Sequence, residues 1–283
     1  MRLATALENR LGRDFVILAP PLDGDLPFDH IVDDPDRHEN LLAEIQRLRG
    51  SIYLADGAIQ ENDLSEDGRH IQPADDVSWH LLTVDWRGRV TAGIRYLAHR
   101  PGISYSSLGI PWAISEQSSD FQSRVKRAVQ DDLDRARMCG FSYIELGGWV
   151  VGEELRCSTE AIRMLIMMYA MSQSMGGALA ISTATTRHNS TAILRRTGGK
   201  SLVNDGVEIP AYFDPNYNCE MEVLSFDSRF PNPRYSGWIR EFREALGHIR
   251  MISPSLSSTT SGLIGLHTAV TGSSSSTRVL QSA

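Results

Sequence analysis

The most regular pattern along the chain is an apolar run, Glu145-Leu-Gly-Gly-Trp-Val-Val151, then a stretch with helical spacing, a Gly176-Gly177 stop and a second apolar run, Ala178-Leu-Ala-Ile-Ser-Thr183. Two short apolar runs separated by one helix predict a β-α-β unit with parallel strands and a right-handed crossover. The helix is expected over 158–175, ended by glycine because a left-handed residue closes a helix most easily without a Cβ. Upstream, Trp79–Asp85 and Val90–Leu97 flank Trp86-Arg-Gly-Arg89 and predict a hairpin. Residues 119–138 place Phe121, Val125, Val129, Leu133 and Ala136 on one stripe, the spacing of a long amphipathic helix that Gly140 stops.

Weaker periodicities complete the outline. Leu41, Ile45 and Leu48 predict a helix over Asn40–Leu48 that ends at Gly50. Val207–Phe213 and Cys219–Phe226 read as strands, and Trp238–Leu246 as a closing helix. Residues 1–40, with Pro20-Pro21 and an Asp/Pro-rich stretch through Asp36, read as an acidic, weakly structured surface segment. Residues 253–283 are Ser/Thr/Gly-rich and are expected to be disordered, because such a composition buries too little apolar surface to offset the entropy of ordering. One domain over 41–252 is the resulting expectation.

Charge and cysteine usage remove whole classes of function. The formal net charge is −7, and residues 1–80 hold 17 acidic against 7 basic side chains, so no basic footprint for nucleic acid exists. Cys139, Cys157 and Cys219 show no CxxC or Cys/His metal spacing, which argues against a disulfide framework or a zinc site and for a reducing, cytoplasmic setting. No apolar run reaches the ~18 residues of a membrane span, and the first ten residues lack a signal-peptide core.

An ordered set of short segments carries a resemblance. Leu48-Arg49-Gly-Ser-Ile-Tyr53, Asp75-Asp76-Val-Ser-Trp-His80-Leu-Leu, Gly88-Arg-Val-Thr-Ala-Gly-Ile-Arg95-Tyr-Leu, Ile144-Glu145 and Trp149-Val-Val151 lead to Asn189-Ser-Thr-Ala192 and Gly198-Gly199. This series, over roughly residues 45–230, resembles the GNAT N-acyltransferases, and within them the acyl-homoserine-lactone synthases and the related N-acyl amino acid synthases. The resemblance implies an α/β fold of GNAT type, a single domain with a mixed, splayed β-sheet flanked by helices. Between two parallel strands that part, the pantetheine arm of an acyl thioester would insert. The implied reaction is transfer of a fatty acyl group to the amine of an amino acid or related small molecule by direct attack. It needs no permanently bound cofactor and no covalent acyl-enzyme.

Two departures from the family pattern refine that expectation. Coenzyme A users carry a glycine-rich loop after the cleft strand, where backbone N–H groups reach the pyrophosphate. Here the corresponding stretch, Leu155-Arg156-Cys-Ser-Thr-Glu-Ala161, has no glycine. An acyl carrier protein, whose arm bears one phosphate, is therefore the expected donor and partner, with acyl-CoA as the alternative co-substrate and an inactive, ligand-binding GNAT protein as the alternative of another class. Gly147-Gly148 stand where the lactone synthases tend to carry an Arg, which favours an acceptor other than S-adenosylmethionine.

Candidate site residues follow from this reading. Glu145 is the expected general base for the acceptor ammonium, with pairing to an arginine as its structural alternative, and His80 is the rival base. Gly147-Gly148 mark either a bulge that turns an N–H of Val150 or Val151 toward the thioester oxyanion, or merely close strand packing. Arg156, Ser158, Asn189, Arg195 and Arg196 are the expected donor-binding residues, Asn189 also reading as a helix cap. Arg49, Asp76 and Arg95 form either an ion-pair set or the groups that orient the amine substrate. Trp149, Met164, Met168 and Phe213 would line the acyl pocket, or else simply pack the core.

Overall fold

The computed structural model describes residues 13–21, 28–215 and 217–255. A mixed sheet dominates it. In chain order its strands are β1 (Arg13–Leu18), β2 (Ile31–Asp33), β3 (Trp79–Asp85), β4 (Val90–His99), β5 (Ser142–Val151), β6 (Ala178–Thr185), β7 (Lys200–Ser201), β10 (Tyr212–Asp214), β11 (Cys219–Asp227) and β12 (Arg250–Ser253), and β8 (Val203–Asn204) with β9 (Val207–Glu208) form a separate small hairpin. The strand order across the sheet is β10-β11-β6-β5-β4-β3-β1-β12-β2, with β7 also pairing β11. The helices are α1 (Pro35–Ala55), α2 (Ile110–Ala113), α3 (Ser119–Cys139), α4 (Glu160–Ser174), α5 (Ser190–Thr197) and α6 (Ser236–Ala245).

Helix α1 begins where Asp34 accepts a hydrogen bond from the Arg37 N–H and Pro35 takes the first helical position, where its missing N–H costs nothing. Its apolar stripe, Leu41, Leu42 and Ile45, packs against Leu18, Leu82, Val84 and Val150. Farther along the same face, α3 covers Tyr143, Leu179, Ile181 and Val223 with Val125, Val129 and Leu133. The opposite face is closed by α4 and α6, whose Met164, Met167, Ile239 and Phe242 join Phe15, Ile17, Ile94, Ile144 and Phe226. Gly93 of β4 leaves room for α1: a Cβ there would run into the Ile45 side chain.

The β-α-β unit, the hairpin of β3 and β4, and the amphipathic α3 all form as the periodicity predicts. Three differences have physical causes. Residues 13–18, read as part of a surface lead-in, are a strand inserted between β3 and β12, and Ile17 and Leu18 are fully buried. Helix α1 does not stop at Gly50 but continues one more turn: Gly50 is a packing position rather than a stop, since a Cβ there would lie 2.7 Å from the Gly68 carbonyl oxygen. The expected strand over 207–213 is broken between β9 and β10 at Pro210, which has no N–H to give to a ladder. The tail expected over 253–283 lies outside the described residues from 256 onward. Among the described residues no helix is long and apolar enough to cross a membrane.

The fit between Gly93 and Ile45 makes a testable prediction. Gly93→Ala overpacks the α1 interface and should lower stability by ~1–3 kcal/mol, read as a drop in melting temperature. Adding Ile45→Ala should restore part of that loss, so the double variant falls short of the sum of the two singles. Additive losses would show that the two positions do not press on one another.

Candidate active site

β5 and β6 pair in parallel only from Ser142↔Ala178 to Glu145↔Ile181. Beyond that point β5 stays with β4 and β6 stays with β11, so the two strands part. The opening holds a cavity of about 680 Å³. On one face it is lined by Ile52, Tyr53 and Asp56 from α1, and on the other by Arg156, Cys157 and Ser158 before α4 and by Ser190, Ala192 and Ile193 of α5. Ser182, Thr183, Ala184 and Thr185 form the β6 wall, and Gly147 to Val151 the β5 wall. The cavity thus passes through the sheet.

The β5 wall carries a bulge. Arg95 faces Gly147 and Gly93 faces Val150, so Gly148 and Trp149 together oppose Ile94 alone. Gly148 takes φ +58, a left-handed conformation that glycine enters without the Cβ penalty. It is also a contact point, since a Cβ there would lie 2.9 Å from Arg49 Nη1. The bulge reverses the alternation of β5: Val150 turns to the α1 face, and Trp149 and Val151 pack toward the α4 face. This is the bulge expected at Gly147-Gly148, and it brings Val150 and Val151 to the cavity wall.

Behind the bulge lies a buried charge cluster. Arg49, 0% exposed, grips Asp75 through Nη2 and Nη1 at 2.6 and 3.1 Å and donates from Nη2 to the His70 carbonyl at 2.5 Å. Arg95 donates to Asp75 at 3.1 Å and to Gln72 Oε1 at 2.5 Å, and Gln46 adds a third side chain on Asp75. Asp75 is thus the residue that holds the two arginines, and the expected Asp76 is exposed. Burial alone would push the Asp75 carboxyl up, but Arg49, by charge and hydrogen bond, holds it well below the usual carboxylate range. Burial pulls both His70 and His80 down to about 4. His80 bonds the Asp75 carbonyl at 2.8 Å, is 1% exposed, and does not reach the cavity.

Glu145 also stands apart from the cavity lining. It sits on the last position of β5 paired with β6, on the α3 face, where Oε2 accepts the Gly109 N–H and Oε1 pairs with His99 Nε2, each at 2.7 Å. Its visible work is to fasten the segment before α2 to the sheet.

The donor-binding expectations divide. Arg156, Ser158, Asn189 and Arg196 line the cavity. Asn189 occupies the N-cap position of α5 at φ +60 and makes no capping bond with its side chain. Arg195 does not line it: it pairs with Glu222 and bonds Ser201 Oγ at 2.7 Å. Of the expected acyl pocket, only Trp149 faces the cavity. Met164 is fully buried in the core, Met168 borders a separate void of about 20 Å³ beneath Leu146, and Phe213 lies 54% exposed on β10. The expected site residues left out Asp56 and His188, which meet in the cavity beside Arg187. Asp56 closes α1, Arg187 donates to the Asp56 and Asn218 carbonyls at 2.6 and 2.7 Å, and His188 Nε2 lies 3.1 Å from Asp56 Oδ1. For Arg187 and His188 the signal in the sequence is a run of polar residues at the end of β6, and Asp56 has none. Among the described residues no group of His, Cys, Asp and Glu could hold a metal ion.

A sheet breached between two parallel strands, with a bulge on one wall and helix N-termini at the mouth, defines the GNAT-type fold. Solved structures agree. The chain is similar to a CoA-dependent acyl-homoserine lactone synthase, BjaI, solved with SAM and isopentyl-CoA: TM-score 0.54 at 15% identity, over 87% of this chain and 96% of that one. The same synthase solved with MTA gives 0.54 at 14% identity over the same shares. FeeM, an N-acyl amino acid synthase from uncultured soil microbes, gives 0.44 at 12% identity over 70% and 89%. At 14–15% identity the likeness to the two BjaI structures is one of fold. No protein-family model and no curated protein matches the sequence.

The charge cluster generates two expectations. Asp75→Asn strands two buried guanidiniums and should cost ~3–5 kcal/mol or prevent folding, whereas Asp76→Asn should change stability by less than ~0.5 kcal/mol. Equal melting temperatures would refute the assignment. Because His70 and His80 bind protons less readily when folded than when unfolded, the unfolded chain takes up more protons between about pH 6.5 and 4, and stability falls as pH drops through that window. Urea unfolding at pH 7.5 and 4.5 measures the loss, and His80→Gln should make it smaller.

Proposed function

We propose that the chain is an N-acyltransferase that moves a fatty acyl group from a pantetheine thioester to the amine of an amino acid or related small molecule other than S-adenosylmethionine. The observation that carries this reading is the cavity through the breached sheet, with a bulge on its β5 wall. A thioester arm entering from the α4 and α5 side lies between β5 and β6, where each wall offers backbone groups that the missing strand pairing leaves without a ladder partner. Val150 and Val151, just past the bulge, supply an N–H to the carbonyl oxygen as it becomes an oxyanion, a contact that strengthens as charge develops. Leu146, Trp149, Ile193 and Met221 give the first carbons of the acyl chain an apolar wall. The acceptor approaches from the α1 side.

The donor in this reading is an acyl carrier protein. Arg156 and Arg196 stand at the cavity with no glycine loop beside them, which suits one phosphate better than a pyrophosphate and an acidic partner better than a free nucleotide. The fold neighbour BjaI is CoA-dependent, and acyl-CoA is therefore the competing donor in the test.

Mass spectrometry of reactions containing acyl carrier protein or acyl-CoA donors and a panel of amino acids and amines should find an N-acyl product and a stoichiometric free thiol. Product from neither donor overturns the acyltransferase reading. The double reversal Arg156→Glu and Arg196→Glu should raise KM for the carrier protein about tenfold at low salt and less at high salt. An unchanged KM, with acyl-CoA used equally well, would exclude the carrier protein. Gly148→Ala, which strains the bulge, should lower kcat by ~10²-fold, the loss typical of one displaced oxyanion donor. A wild-type kcat would place the oxyanion elsewhere.

A further inference from the structure

An attacking amine must be neutral, and at neutral pH an aliphatic amine is an ammonium, so the reaction needs a proton acceptor that opens onto the cavity. Glu145 and His80 do not. Among the described residues lining the cavity, Asp56 is the sole carboxylate and His188 the sole imidazole. They come from different elements, the C-cap of α1 and the loop after β6, and meet at 3.1 Å between Asp56 Oδ1 and His188 Nε2. We infer that His188, oriented by Asp56, is the general base that deprotonates the acceptor amine. This rests on the N-acyltransferase reading above and adds to it a named base.

The geometry fixes which nitrogen acts. A carboxylate only accepts, so the proton between the two groups resides on Nε2, and Nδ1 carries the lone pair. The loop is held for this purpose: His188 and Asn189 both take left-handed backbone conformations, at φ 54 and 60, and Arg187 ties the loop to the Asp56 and Asn218 carbonyls. The imidazole is 59% exposed, so an acceptor can reach it from the α1 side. The other ionisable groups lining the cavity are Arg187 on the same loop, Tyr53 one turn back on α1, Tyr217 before β11, Arg156 and Cys157 before α4, and Arg196 on α5.

The step balances without a further reactant. Nδ1 takes one proton from the ammonium and passes it to solvent. The neutral nitrogen attacks the thioester carbon, forming the C–N bond and a tetrahedral oxyanion. As the oxyanion collapses the C–S bond breaks, and the thiolate takes the second proton lost by nitrogen. The amide, the free thiol and one released proton account for every atom.

The test measures kcat against pH from 6 to 9.5 at saturating donor in the wild type and in His188→Ala, His188→Asn and Asp56→Asn. His188→Asn is included because asparagine tolerates the left-handed backbone that alanine does not. Both His188 variants should lose ~10²–10³-fold at pH 7 and much less at pH 9.5, where free amine is abundant. Added imidazole should restore turnover to His188→Ala, and Asp56→Asn should lose about tenfold, with donor affinity unchanged throughout. An active wild type with His188 variants at wild-type rate, or with a loss that is equal at every pH and not rescued by imidazole, overturns the base assignment alone. A wild type that acylates no amine overturns the acyltransferase reading and this inference together.

Discussion

The parting of β5 from β6 after Glu145 is the constraint on which the rest of the structure depends. Two central strands that stop pairing leave backbone donors and acceptors facing each other across a gap, and such groups are not tolerated in a dry core. The fold meets this by making the gap a cavity rather than a void. It then holds each wall rigidly to its outer neighbour, β5 to β4 and β6 to β11. Helix α1 spans the breach on one face, and the segments leading into α4 and α5 frame it on the other.

The bulge and the charge cluster solve the resulting problem of precision. A wall that pairs on one side only can slide, and a register shift would turn every side chain to the wrong face. The extra residue at Gly148-Trp149 locks β5 against β4 at one place, and the Arg49 guanidinium sits directly behind Gly148. That guanidinium is itself immobile, because Asp75, the His70 carbonyl and the surrounding burial leave it nowhere else to go. Two arginines on one carboxylate leave a net positive charge beneath the β5 wall.

Much of this was legible in the sequence. The β-α-β spacing, the double glycine before Trp149 and the amphipathic stripe of α3 are strong local signals, and they give the splayed half of the sheet and its bulge. The edge of the sheet beyond β3 was missed because its strands carry weak ones: β1 runs into an acidic, turn-rich stretch, and β12 is four residues long and joins β1 and β2 from more than 200 positions away. For the site, residue type was a poorer guide than orientation. Asp75 and Asp76 are adjacent and chemically identical, and only the fold buries one and exposes the other. Glu145 has the chemistry of a base but points to the α3 face, because it lies before the bulge. Asp56 and His188 carry no recognisable spacing, being brought together across 132 residues by the closure of α1 over the breach.

The central claim is that the gap between β5 and β6 is the seat of a thioester arm. The most direct measurement is a crystal structure with a non-hydrolysable thioether analogue of an acyl-pantetheine. The arm is predicted to run between residues 147–151 and 182–185, with its carbonyl oxygen within hydrogen-bond distance of the Val150 or Val151 N–H. An analogue that binds with its arm outside this gap would contradict the account.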